Sequence, residues 1–385
     1  MSSLGPASPG IVDADGLAVY PQGMGASRRR FLAASVGAVA APTFGRAQSR
    51  VSDLAIGQML MLGFEGDTAD APGARRLAAH VSAGRVGGVF FLGHNAHSRA
   101  GVEGLTQLFG AAGNAHGALI AIDHEGGSVQ RLGPRLGYPA VPPASVVAGD
   151  DSPETAYGIY NGMAAEMRAA GFNLNLAPVV DLGFEPRNPV VTGWGRTFAK
   201  DGADVARYAA AFIAGHREVG VLTSVKHFPG HGSTLTDSHA AIVDLTPTWR
   251  EDELTPYRLL AKAGMIDVVM SGHLAHATLT DGEPATLSRK AVEGLLRGSI
   301  GYEGVVMTDD LDMAAIRTRY SLRDAVVKAV AAGNDLVMIS NSSTPDPDLP
   351  IAAAGWIKAG LASGEIPAGR IEQSGARLAA LKVFS

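Results

Sequence analysis

A chain of 385 residues, 46% hydrophobic and 18% charged, can bury one large core or two modest ones. Its formal charge of -5 and pI near 6.1 provide no basic field to gather a polyanion, so nucleic acid is not expected as a partner and small neutral substrates fit better. With no cysteine, there are no disulfides, thiolate metal ligands or cysteine nucleophile.

Residues 1–50 differ from the rest and are expected to be a disordered N-terminal segment carrying an export signal. Within "SRRRFLAASVGAVAAPTFGRAQS", residues 27–49, Arg28 to Arg30 form a cationic n-region. An apolar run follows from Phe31 to Ala41, then small residues before a cleavage point after Ala47. The arginines after Ser27, with Phe31 and Leu32 behind them, resemble the twin-arginine type, which makes the twin-arginine export machinery an expected partner. The apolar run falls short of the roughly 20 residues that span a bilayer, so no stable membrane insertion is expected once the signal is removed. Met24 is a second candidate start. The expected location is periplasmic or secreted.

From residue 51 to 385 short apolar runs alternate with Ala-rich stretches of helical period, the pattern of repeated β-α units. Eight candidate strands appear in order: 59–64, 88–93, 118–123, 172–177, 222–227, 267–272, 304–309 and 335–340. Several are apolar along their whole length, as strands covered on both faces must be. Eight such units predict an α/β fold, a single (β/α)8 TIM-type barrel; a doubly wound open sheet is the alternative. In a barrel of this kind chemistry sits beyond the C-terminal ends of the strands. Asp123, Lys226 with His227, and Asp309 all fall there, and Ser271 to His273 sit just past the sixth run. The "EGG" at 125–127 lacks dinucleotide or P-loop spacing.

"KHFPGHGSTLTDSH", residues 226–239, invites three readings. As a metal site it needs His227 and His231 on one helical face, and Pro229 and Gly230 argue against that helix. As an acid/base device it rests on Asp237 and His239, since a carboxylate on one ring nitrogen supports the imidazolium formed at the other. As a polar loop, Asp237 caps a turn and His239 is solvated. In "MTDDLDM", residues 307–313, Asp309 points into the mouth while Asp310 or Asp312 caps or charges a helix N-terminus. Asp123 and Arg131 offer acceptors and fixed donors suited to sugar hydroxyls, Glu125 reads as a partner within its glycine turn, and Trp194 is either a stacking platform or packing.

Taken in order, "IDHEGGSVQRL", "LNLAPVVDL", "GRTF", "KHFPGHGSTLTDSH" and "MTDDLDM" resemble glycoside hydrolase family 3, specifically its single-domain bacterial exo-β-N-acetylglucosaminidases, over roughly residues 55–340. The resemblance implies a β/α barrel that releases terminal, non-reducing β-linked N-acetylglucosamine with retention and without cofactor or metal. It makes Asp309 the nucleophile, His239 the general acid/base and Asp237 its partner. Asp123, Arg131, Arg196, Lys226 and His227 then hold the sugar. Ser233 stands where many relatives have aspartate, and "TGWG" precedes Arg196; both bear on leaving-group preference. With the signal, the implied substrates are chitin-type oligosaccharides or peptidoglycan fragments outside the cytoplasm. A β-glucosidase or a phosphorylase of the same family is the near alternative, and a metal-dependent barrel hydrolase the distant one.

Overall fold

The computed structural model describes residues 11–12, 18–19, 52–113, 117–237 and 241–382. The export signal and His239 lie outside these residues.

All eight expected runs form strands: β1 (Leu60–Leu62), β2 (Gly88–Phe91), β3 (Leu119–Ile122), β4 (Leu174–Asn175), β5 (Leu222–Phe228), β6 (Val268–Ser271), β7 (Val305–Thr308) and β8 (Val337–Ile339). They pair in parallel in the order β7-β6-β5-β4-β3-β2-β1-β8. A bridge between Met307 and Leu336 brings the two outer strands together, so the sheet is a nearly closed ring, consistent with a TIM-type barrel and not with an open doubly wound sheet.

Along β6 and β7, alternate residues enter different cores. Val268, Met270, Val305 and Met307 join one hydrophobic cluster, and Val269 and Val306 another. This is the period of two on strands covered on both faces, and it explains why these runs read as unbroken apolar segments.

The crossovers are helices α1 (Pro72–Ser82), α2 (Arg99–Ala112), α3 (Pro153–Ala169), α4 (Gly202–Glu218) and α5 (Thr255–Lys262), a π-helical segment Lys290–Ser299, and α6 (Leu322–Ala332); α7 (Leu349–Ser363) follows β8. A last helix, α8 (Arg370–Lys382), follows. Their starts are legible in local chemistry. Ser98, Ser152 and Ser321 each accept a hydrogen bond from a first-turn amide, and Asp201 accepts two, from Ala203 and Asp204. α4 buries a broad alanine-rich face, and Gly215 lets it approach α3 so closely that a Cβ there would stand 2.8 Å from Asn161 N. No helix among the described residues is long and apolar enough to cross a membrane.

Candidate active site at the barrel mouth

The C-terminal ends of β3, β5 and β7 share one rim, and the reactive side chains arise there. Asp123 follows β3 directly, Lys226 and His227 lie near the end of β5, and Asp309 is the first residue past β7. Between Val269 and Ser271 of β6, the register with β5 shifts by one residue. Such a bulge breaks strict alternation, so the consecutive residues Lys226 and His227 are both used in the mouth.

Four charges form a chain across this rim. Lys226 Nζ lies 2.7 Å from Asp123 Oδ1 and 2.7 Å from Glu125 Oε1. Arg196 grips Glu125 as a fork, Nε to Oε2 at 2.7 Å and Nη2 to Oε1 at 2.8 Å, and also donates to Val190 O. Side-chain exposure separates their roles: Asp123 keeps 25%, against 3% for Lys226, 6% for Glu125 and 8% for Arg196. Asp123 is therefore the most open of the four, and the buried three fix its position. Burial alone would raise the Glu125 pKa, but Arg196 and Lys226 keep this carboxyl well below the usual range. Burial works against the charge on Lys226 as well, and Asp123 and Glu125 raise its pKa in spite of it. Two cations balance two anions, so the charges survive burial only as a set. Glu125 is thus not a partner within its own glycine turn, as the sequence suggested. Its partners come from β5 and from the loop after β4.

A second buried carboxylate organises the histidine loop. Asp181, fully buried after β4, accepts from His227 Nδ1 at 2.7 Å, from His227 N at 3.0 Å and from His231 N at 2.8 Å. Burial would raise its pKa; His227, His231 and the amides together lower it. Nδ1 of His227 is committed to Asp181, which fixes the orientation of the ring. His231 Nδ1 shares a 2.7 Å hydrogen bond with Thr234 Oγ1, and burial pushes this imidazole down to about 4, so it is neutral at ordinary pH. Asn188 Nδ2 donates to His231 O, Gly232 O and Thr234 Oγ1, tying the loop after β4 to the loop after β5. No group of three or more metal-ligating side chains occurs among the described residues.

Asp309 N donates to Ser271 O at 2.9 Å, and its Oδ1 accepts from Asp310 N at 2.8 Å. Neither Asp310 nor Asp312 caps the following helix, one of the roles the sequence offered for one or the other of them; the Ala314–Arg317 turn has Met313 at its cap and no side-chain cap hydrogen bond. The Asp310 carboxylate accepts from Asp312 N and Ser340 N, each at 2.9 Å or less, and Asp312 accepts from Ser342 N and Ser343 N. Both therefore tie the β7 loop to the β8 loop. Burial pushes the Asp310 carboxyl up to about 6. His273 Nε2 donates to Asp310 O at 2.8 Å and steadies the same turn. Arg131 comes from the hairpin after β3; a Cβ on Gly93 would stand 3.7 Å from its Nη1, which places the guanidinium against the end of β2. Asp237 is exposed and is the last described residue before His239.

Residues 51–381 match the glycosyl hydrolase family 3 N terminal domain. The chain belongs to glycosyl hydrolase family 3. Among its relatives, a β-hexosaminidase of Tolumonas auensis is 36% identical over 288 residues, 74% of this chain and 83% of that protein. A solved β-N-acetylhexosaminidase from Beutenbergia cavernae has a TM-score of 0.77 at 31% identity, covering 87% of this chain and 99% of the other. A family 3 β-N-acetylglucosaminidase from Paenibacillus has a TM-score of 0.76 at 36% identity; this chain spans 63% of that longer one. The family 3 chain is accordingly a glycoside hydrolase.

Two residues of this family 3 site carried no assignment in the sequence reading. Asp181 stood inside the quoted "LNLAPVVDL", where an acidic residue closing an apolar run was the available signal. Glu253, buried beneath the histidine loop, had none, because its role depends on a fold contact across 71 residues to Leu182.

Proposed function

We propose that this chain is a retaining exo-β-N-acetylhexosaminidase that removes terminal, non-reducing β-linked N-acetylglucosamine from chitin-type oligosaccharides or peptidoglycan fragments. The observation that carries the reading is the rim itself: Asp309 ends β7 on the same barrel face where the buried Lys226–Glu125–Arg196 set presents Asp123. The names of the relatives supply the sugar class. Asp123, Arg131, Arg196, Lys226 and His227 hold the terminal sugar. Asp309 attacks the anomeric carbon and the glycosidic C–O bond breaks as His239 gives its proton to the leaving oxygen. The glycosyl-aspartate is then opened by water, with the same imidazole taking the proton back; two inversions give retention. Asp237 fixes the imidazole and stabilises its charged form.

The test compares an aryl N-acetyl-β-glucosaminide with the matching β-glucoside, in phosphate-free and phosphate buffers. Preference for the former, with free sugar as product, is expected. Preference for the glucoside, or sugar 1-phosphate in phosphate buffer, would redirect the reading to the alternatives within the family. Asp309→Asn should abolish turnover. His239→Ala should lose about 10² to 10⁴ in rate with ordinary leaving groups and much less with activated aryl ones; equal losses would remove His239 as the acid. We further propose that the protein acts in the periplasm or outside the cell, reached by the twin-arginine route. Lysine at both Arg28 and Arg29 should retain it in the cytoplasm, as cell fractionation would show.

A further inference from the structure

Glu253 belongs to the 3-10 turn Glu251–Leu254 and has no exposed surface. It stands where the two loops of the site meet. Its Oε2 accepts from Leu182 N at 3.3 Å, next to Asp181, and a Cβ on Gly230 would lie 2.5 Å from its Cβ and 2.7 Å from Oε2. Gly230 has φ of 115°, so this turn takes its shape from glycine and is packed directly on the glutamate. Ser233 lies beside the carboxyl, and its hydroxyl and amide work to lower the carboxyl's pKa, yet neither Ser233 Oγ nor Glu253 Oε1 reaches full hydrogen-bond geometry among the described residues. The same holds for Tyr257 Oη on the following helix, which lies near the carboxyls of both Asp181 and Glu253. Among the described residues, no cation pairs with this carboxyl. The groups facing it are Asp181 from the β4 loop, with His227 and His231 beyond, Ser233 from the β5 loop, and Tyr257 from α5.

We propose that Glu253 is a positioning residue for the reaction: as a neutral acid it supports the 230–233 turn and Asp181, and through Asp181 it holds His227 against the sugar. Burial, with the neighbouring Asp181 charge, pushes its carboxyl up to about 8. Ionisation above that pH sets a second anion beside Asp181 in a dry interior. The pair repels, the turn shifts, and the His227–Asp181 hydrogen bond loosens. The consequence is a site that holds its sugar less well on the alkaline side. This inference rests on the proposed role of His227, so its test reads Glu253 both with and without activity.

Infrared difference spectra of the full chain should show the carbonyl stretch of a protonated carboxylic acid at neutral pH, absent from Glu253→Gln, and vanishing as pH rises through about 8. The His227 Nδ1–H proton resonance should shift over the same span in the wild type and stay still in E253Q. With an activated aryl N-acetyl-β-glucosaminide, which needs little protonation, KM should rise about 5- to 10-fold across that span in the wild type, with kcat nearly constant and E253Q flat. Absence of the infrared band, or a His227 signal or KM that shifts equally in both proteins, overturns the proposal. Should E253Q fail to fold, coincident infrared and His227 midpoints in the wild type support it and separate midpoints refute it. If no aryl hexosaminide is cleaved at any pH, the hexosaminidase reading fails, while the infrared and imidazole signals still decide for or against Glu253.

Discussion

Glu125 shows how much a single carboxylate can organise. It neutralises Arg196 and Lys226 at once, at 2.7 to 2.8 Å, in a setting nearly closed to water. Glu125→Gln keeps the shape but leaves two buried cations facing the one carboxylate of Asp123. We expect a stability loss of about 3–5 kcal/mol in urea unfolding. We also expect a KM increase larger than the kcat decrease, because the groups proposed to hold the sugar lose their fixed geometry before those proposed to react do. Equal effects on KM and kcat would mean that Glu125 acts on the chemistry itself. The residue types were visible in "IDHEGGSVQRL", but two glycines directly after a glutamate suggest a local turn, and nothing local announces partners 71 and 101 positions away.

Among the elements, the loop after β7 is joined to the loop after β8 by side chains acting on backbone amides. Asp312 accepts from Ser342 N at 3.0 Å and Ser343 N at 2.9 Å, and Asp310 accepts from Ser340 N at 2.8 Å. Removing the Asp312 carboxylate strands two amides that it satisfies. Asp312→Ala should therefore cost about 2–3 kcal/mol, with faster hydrogen exchange at Ser342 and Ser343 as the specific sign. Unchanged exchange there would show that the β8 loop is held by other contacts. Strand positions were readable because apolar runs covered on two faces are hard to mistake. The role of the second and third aspartates in "MTDDLDM" was not, since an acidic residue before a helical stretch usually serves the helix. Here the β8 loop offers amides in reach and takes them.

For the molecule as a whole, ring closure depends on Asp335. The β7–β8 seam has the Met307–Leu336 bridge, and beside it Asp335 accepts from Val306 N of β7. The same carboxylate accepts from Arg297, from Arg370 and Arg377 of α8, and from Ser374. One buried anion thus fastens β7, the π-helical segment and α8 to the start of β8. Asp335→Asn should cost about 3–5 kcal/mol, measured by denaturant unfolding; a loss under 1 kcal/mol would show that the seam holds without it. The acid response is also global. Burial lowers the pKa of His124 to about 4, His216 to about 3 and His231 to about 4, against 6.5 unfolded. Their stability contribution is complete above pH 6.5 and is lost as pH falls toward those values. Asp310 and Glu253 have raised values and act in the opposite sense, contributing at low pH and losing that contribution as pH rises. The net acid slope mixes both, so the clean reading is a difference. His216→Gln should narrow its stability gap to the wild type as pH falls below 6.5. A constant gap would mean that His216 is not buried neutral.

Alternating β-α segments, strand-end placement of Asp123, Lys226, His227 and Asp309, and the ordered motifs were all written locally, because periodicity and motif chemistry depend on neighbours within a few positions. From them followed the barrel, the family and most candidate residues. Asp181, Glu125, Glu253 and Asp335 could not be assigned that way. Each is a buried carboxyl whose state and purpose are set by donors brought in from distant strands, and a charge in a dry interior is meaningful only once the groups that pair with it, or leave it neutral, have been placed.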